Sequence, residues 1–334
     1  MGRQWVMRPA EPIRRWHIGD VVITKVPESL IEAGLDDENS EGEGFLPKAT
    51  RSALLEIDWL QPDFVTARGD IRLSFHALVI DTGRRRILVD TCVGNGKARP
   101  RQPFWDQLEL PFLETLAQAG YPRETIDTVV CTHLHVDHVG WNTMLVDGRW
   151  QPTFPNARYL IGEEEYRQCA AAQAAGERGS AFTPEAVFAD SIAPVFAAGL
   201  VDLVPMDHVL CAEVALRPTP GHTPGHVSVV ISSGAARALI TGDTVHHPSQ
   251  LAHPGWSVSA DDDRDRAITT RGELLAGVAG SDTLVIGTHW GGRSAGLVKS
   301  SGGSYRLDRA GEWAMTGSAD PAHEDGGQDR PCVT

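Results

Sequence analysis

Short apolar runs alternate with helix-spaced segments along most of this chain. Residues 21–25 (Val-Val-Ile-Thr-Lys) read as a strand, 73–81 and 86–90 flank Thr82 and Gly83 as a hairpin, and 128–131 form a short apolar strand of the buried kind. Residues 209–216, 226–232, 237–241 and 284–286 read as further strands. Three segments carry helical patterns. Leu113, Leu116 and Ala117 are spaced for one face, and Gly120 with Pro122 closes that helix. Residues 163–175 and 261–279 both open with acids that suit the positive end of a helix dipole. Strands interleaved with helices predict an α/β domain. Residues 1–15 read as an N-terminal arm, 16–310 as the domain, and the polar, Gly- and Asp-rich 311–334 as a disordered tail with little to bury.

Composition narrows the picture. The 334 residues are 41% hydrophobic and 22% charged, enough for the core of one large domain or two average ones. A net charge of −14 repels phosphate backbones and argues against nucleic acid as the main partner. No run of eighteen apolar residues occurs, so no membrane span is expected. The N-terminus lacks the apolar stretch of a secretory leader, and cytoplasmic residence is the default expectation. Cys92, Cys131, Cys169, Cys211 and Cys332 are scattered and form no CxxC, which suits reduced, mostly buried thiols. Cys92 is the exception to watch, because it follows a strand end near the candidate chemistry.

That chemistry lies in Thr132-His133-Leu134-His135-Val136-Asp137-His138, with three imidazoles and a carboxylate in six positions. His222 in Gly221-His222-Thr223-Pro224-Gly225-His226, Asp243 after Thr241-Gly242, and His289 after Gly287-Thr288 complete a set sufficient for two metal ions. Imidazole and carboxylate suit zinc, and also iron, manganese or cobalt. Such a pair generates hydroxide from water at neutral pH. In an extended segment His133 and His135 face one side and can serve one ion, while Asp137 and His138 turn toward a second. Asp243 can bridge both through its two oxygens. His226 orients rather than ligates, and Asp90 is either a partner to a ligand imidazole or a turn cap.

The order HxHxDH, GHTPGH, TGD and a late His resembles the metallo-β-lactamase-fold hydrolase superfamily, over roughly residues 16–310. The resemblance implies an αβ/βα four-layer sandwich of two mixed sheets with outer helices. It implies His133, His135 and His222 on one divalent ion, Asp137, His138 and His289 on a second, and Asp243 bridging. Zinc is the first expectation, with iron, manganese and cobalt open.

Several branches of that superfamily fit less well. True β-lactamases lack the bridging Asp. Ribonuclease Z relatives share most ligands, but the acidic balance weighs against RNA. Glyoxalase II shares TGDT and GHTPGH but continues into a helical domain, whereas 45 residues follow His289 here. Quorum-quenching lactonases carry a Tyr three residues after the bridging Asp, where this chain has His246. Organophosphate hydrolases of the methyl-parathion type have a His at that spacing. They also share the pattern seen here as Pro254-Gly255-Trp256, Asp261-Asp262-Asp263 and Thr270-Arg271.

The resemblance therefore implies a dinuclear hydrolase in which a bridging hydroxide attacks a small-molecule lactone, carboxylic ester or organophosphate triester. Asp137 would shuttle the proton and His246 would contact substrate or leaving group; the bland alternative makes His246 and His247 exposed loop residues. A ribonuclease Z-type phosphodiesterase, a glyoxalase II-like thioesterase and a non-catalytic binding module are the alternatives. Trp141 and Trp290 would either wall a substrate pocket or pack beneath the site, while Phe104 and Trp105 would either overhang the site from the loop after Cys92 or, as the stronger reading, pack against a helix. The expected partner is a small ester or lactone, with no nucleic acid and no membrane. Apolar positions from Phe45 to Phe64 would suit a homodimer or a lid.

Overall fold

The computed structural model describes residues 5–35, 45–174 and 185–308. The tail expected over 311–334, and Ala175 at the expected end of a helix, lie outside the described residues.

Buried β-branched residues dictate two sheets. The first is built from β1 (Trp5–Arg8), β2 (Arg14–Ile18), β3 (Val21–Ala33), β4 (Ile71–Asp81), β5 (Arg86–Val89) and β6 (Thr128–Cys131). A separate hairpin, β7 (Thr143–Val146) with β8 (Arg149–Pro152), follows. The sheet then resumes with β9 (Arg158–Gly162) and β10 (Val201–Val204), giving the order β1-β3-β4-β5-β6-β9-β10, with β2 also on β3. The second sheet runs in sequence order: β11 (Val214–Pro218), β12 (Val227–Ser233), β13 (Ala236–Ile240), β14 (Leu284–Ile286), β15 (Ala295–Ser301) and β16 (Ser304–Asp308).

Period-two alternation sorts each strand's side chains between two cores. Ile87, Val89, Val130, Ile240, Leu284 and Ile286 pack between the sheets, in a cluster shared with Ile23, Val229 and Ile231. Their neighbours Leu88, Val129, Leu239 and Val285 face the opposite way, among helix residues such as Phe112, Leu116, Leu274 and Leu275. Sheets buried on both faces require outer helical cover. The result is the expected αβ/βα sandwich of two mixed sheets.

Parallel pairing positions the site. β5 pairs β6 in one sheet and β13 pairs β14 in the other, both parallel. Parallel neighbours end at the same edge, so Asp90, the 132–138 segment, Asp243 and His289 emerge together.

Three expectations need correction. Residues 209–216 are not one strand. Leu210 N donates back to Val214 O at 3.0 Å and Val209 bridges Ala215, so the chain reverses before β11. The 261–279 helix starts at Arg264, capped by Asp263, because Asp261 and Asp262 are used elsewhere. The first strand continues past Lys25 to Ala33. Buried Lys25 and Glu28 are tolerated there because each is paired: Lys25 Nζ with Glu11 at 2.5 Å and Ser294 Oγ at 2.7 Å, Glu28 with the N–H groups of Val93 and Gly94, both at 3.0 Å. β10 and β16 escaped the sequence pattern because most of their residues are only partly buried and mixed in polarity.

Candidate metal centre

The loop after β6 is held by Asp90, at the end of β5. Asp90 Oδ1 accepts from Thr132 N at 2.8 Å, and Oδ2 accepts from Thr132 Oγ1 at 2.9 Å and meets His138 Nδ1 at 2.8 Å. This network holds Asp90 at φ +59°, a left-handed conformation that a non-glycine residue rarely adopts. Of the two sequence alternatives, Asp90 is the partner of an imidazole. The loop after β5 also passes so close to Gly140 that a Cβ there would lie 1.8 Å from Val93 O, which only glycine permits.

Three-residue groups of donors converge. His133, His135 and His222 form one, and Asp137, His138 and His289 another, with donor atoms inside 4.8 Å of one another. His135 Nδ1 lies 2.9 Å from His222 Nε2, and His138 Nε2 lies 3.1 Å from His289 Nε2. Asp243 stands between the groups. Its Oδ2 is 3.4 Å from His222 Nε2, 3.3 Å from His138 Nε2 and 3.7 Å from His133 Nε2, and its Oδ1 is 3.1 Å from His289 Nε2. Asp137 Oδ2 lies 3.5 Å from His289 Nε2.

The residues fit divalent cations. His133 Nε2 is buried with no hydrogen-bond partner, and two pairs of imidazole nitrogens face each other at hydrogen-bond distance. Three remote nitrogens are engaged, as ligand imidazoles usually are: His138 Nδ1 by Asp90, His222 Nδ1 by Asp261 Oδ1 at 3.0 Å, and His133 Nδ1 by Thr132 Oγ1 at 3.1 Å, whereas His289 Nδ1 is buried without a partner.

Electrostatics split the histidines. Burial holds His133, His135 and His222 well below the usual imidazole range, and the neighbouring imidazoles push the same way, so they stay neutral with lone pairs available. Burial also opposes charge on His138 and His289, but Asp243, helped by Asp90 and Asp137 at His138 and by Asp137 at His289, outweighs it and raises both. Burial would raise Asp243 too; His138, His289 and His246 overcome it and hold the carboxyl well below its usual range. His226 is pushed down to about 4 by burial. Its Nε2 accepts from Asp243 N at 2.8 Å while Nδ1 faces Thr219, so it orients the bridge residue and joins neither donor group.

Above these residues lies a cavity of about 280 Å³. His135, Asp137, His222, Asp243, His246 and His289 form its floor. Its walls are mostly apolar, with Trp5, Phe45, Phe75, Phe104 and Trp105, and carry Arg101, Gln102 and Ser259 as polar exceptions. Phe104 and Trp105 are therefore wall residues and not mere helix packing. Trp5 stacks on Phe104 at 4.9 Å between centroids, and the arm of residues 1–15 thereby reaches the cavity. Trp141 and Trp290 pack beneath. Trp141 stacks on Phe112 and donates to Glu28, and Trp290 donates to Val245 O at 3.0 Å.

His246 and His247 are both buried, not exposed. His246 Nε2 sits 3.0 Å from Asp243 Oδ2 and its Nδ1 has no partner, whereas His247 is consumed by Phe64 O and Ser249. Cys92 is buried, which pushes its thiol well up and leaves it inert.

Sequence reasoning missed the roles of Asp261, Arg271 and Glu165. Asp261 fixes His222, and Arg271 bonds the carbonyls of Thr244, Pro254 and Trp256. The acid triplet and Arg271 were visible as a pattern, but only the fold shows that they fasten the His222 loop to the loop after Asp243.

Comparisons agree with this geometry. The family model described as the metallo-beta-lactamase superfamily matches residues 74–289. Probable metallo-hydrolases of Mycobacterium bovis and Mycobacterium tuberculosis are 27% identical over 192 residues, covering 54% of this chain. The chain spans 60% of the length of these curated relatives. Among solved structures, AidC, a dizinc quorum-quenching lactonase, is similar with a TM-score of 0.70 at 22% identity, covering 89% of this chain and 97% of that one. A hydrolase named AbOPH, of the beta lactamase superfamily, is similar with a TM-score of 0.69 at 23% identity, covering 90% and 98%. The family match takes in well over half of the chain and every residue of the two donor groups, and this protein belongs to the metallo-beta-lactamase superfamily.

Proposed function

We propose that the protein is a dinuclear metal-dependent hydrolase of small-molecule esters, lactones and carboxylic esters first and organophosphate triesters second. The observation that carries this reading is the convergence of two donor groups on Asp243 at the floor of an apolar cavity of small-molecule size. His133, His135 and His222 would hold one ion, Asp137, His138 and His289 the other, with Asp243 between them. Zinc suits this nitrogen-and-carboxylate set best. When bound, the pair supplies an acidified water and Lewis-acid polarisation of the ester oxygen.

The protein's own groups do the rest. Asp137 lines the cavity and accepts the proton released in the attack. His246 presents an unpartnered buried nitrogen beside the cavity and contacts the leaving group. Phe75, Phe104 and Trp105 hold an acyl or aryl group and exclude water. Among the described lining residues Arg101 is the one Lys or Arg, an arrangement suited to a small neutral ester and unlike a basic track for nucleic acid.

The test is side-by-side hydrolysis of an acyl-homoserine lactone and a nitrophenyl phosphotriester, with and without chelator. Lactone turnover should exceed phosphotriester turnover, disappear on chelation and return with zinc. The His133→Ala, His135→Ala double variant should lose bound metal and at least about 1,000-fold in rate. Full activity and metal content in that variant would end the proposal; a faster phosphotriester would invert the order of substrates.

A further inference from the structure

Glu163, Glu164 and Glu165 open the helix Glu163–Ala174. Glu164 behaves as a surface acid, bonding Arg167 and Gln168 on its own helix. Glu165 turns inward and is 6% exposed. Its Oε1 accepts from Leu134 N at 3.0 Å. Its Oε2 accepts from Thr223 Oγ1 at 2.7 Å and Gly225 N at 3.1 Å. Leu134 lies between His133 and His135 in the loop after β6 of the first sheet. Thr223 and Gly225 belong to the loop that enters β12 of the second. The helix presses so closely on that loop that a Cβ at Gly225 would stand 2.3 Å from Glu165 N.

The other carboxylates around the donors act within one side. Asp90 bonds Thr132 and His138, and Asp261 bonds His222 and Val258 N. Glu165 spans both sides, alongside one backbone bond from Val227 N to Thr132 O at 3.0 Å. We infer that Glu165 is the positioning residue that fixes His222 relative to His133 and His135, and so sets the affinity of the first metal. This rests on the dinuclear reading above. All three partners of Glu165 are N–H or O–H donors, which a carboxylate can accept together. A glutamine must turn its amide N–H₂ toward one of them, so it keeps the shape and breaks the tie.

The measurement is zinc affinity of the full-length Glu165→Gln variant, by competition with a chromophoric chelator, together with the visible spectrum of the cobalt-loaded protein. Loss of such an orienting partner weakens metal binding by about 10- to 100-fold. The loss should fall on one of two ions, with the other held within about twofold and the metal-free thermal midpoint near wild type. The cobalt spectrum should change for that ion alone. Thr223→Val, which removes a single bond, should move affinity in the same direction by about a third of that factor on a logarithmic scale.

Unchanged affinity in both variants, or equal loss at both ions, overturns the inference. The wild-type arm separates the two ideas. A wild type that binds a single ion, weakened in Glu165→Gln, sinks the dinuclear reading and keeps the tie.

Discussion

The floor and the roof of the cavity are built by different means. The floor stands on the ends of buried parallel strands; Asp90 and Asp261 bond two of its imidazoles, and Glu165 bonds the two loops that carry His133, His135 and His222. The roof comes from segments outside that frame: Trp5 on an edge strand, Phe45, and residues 101–105. It has its own anchor. Arg99, 1% exposed, forms a two-pronged pair with Asp190 at 2.8 and 2.9 Å. Lys97, wholly buried, reaches Thr143 Oγ1 at 2.9 Å and lies 3.8 Å over the Trp150 ring, close to the same carboxylate. Under the proposed function, reaction chemistry and substrate choice would be held by separate sets of bonds. A scaffold arranged this way can alter one without disturbing the other.

The largest effect should come from removing the roof's anchor. Asp190→Asn strands two buried cations, and breaking a buried pair costs about 3–5 kcal/mol. Denaturant unfolding should show that loss, KM for the apolar ester of the proposed function should rise, and bound-metal content should stay at the wild-type level. Loss of metal along with KM would erase the distinction between floor and roof. A milder cut is Trp5→Ala, which removes the outer layer of the stack on Phe104. It should raise KM for a long-acyl or aryl ester by about tenfold, roughly 1.4 kcal/mol, with kcat unchanged and short-chain esters unaffected. Equal losses for short and long substrates would show that Trp5 serves the floor.

The last test is a pH signature of the anchor. Burial pushes Lys97 down to about 8 from its ordinary 10.5. Between these values the unfolded chain binds more protons than the folded one, so stability rises with pH across that window. The penalty is full below pH 8 and is relieved toward pH 10.5. Wild type should therefore gain on Lys97→Met in thermal midpoint as pH climbs from 8 to 10. A gap independent of pH would mean that Lys97 keeps its ordinary affinity for the proton.

The same contrast governs what the sequence disclosed. Metal ligation demands particular residue types at short spacing, so His133, His135, Asp137, His138, His222, Asp243 and His289 stand out from any bland background. The strands that deliver them were legible because β5, β6 and β14 are short, apolar and bounded by turns. Glu165 stayed hidden because an acid in a first helical turn already has a generic reason to be there. Asp261 was absorbed into a helix by the same reasoning. Phe104 and Trp105 looked like packing, since aromatic residues pack in most contexts. Trp5 is far from the ligands in sequence, and only the pairing of β1 with β3 carries it to the cavity.

That pairing makes access to the site a matter of strand register. Trp5 is opposite Ala33, and Arg8 is opposite Leu30. Side chains alternate between faces, so a slip of one residue would send Trp5 to the far side of the sheet and bring a neighbour into its place. A single inserted or deleted residue between β1 and β2 could thus exchange the group that meets a molecule entering the cavity, while every residue of the two donor groups kept its coordinates. Diversification of substrate range in such a fold would then proceed by sliding an edge as readily as by replacing side chains.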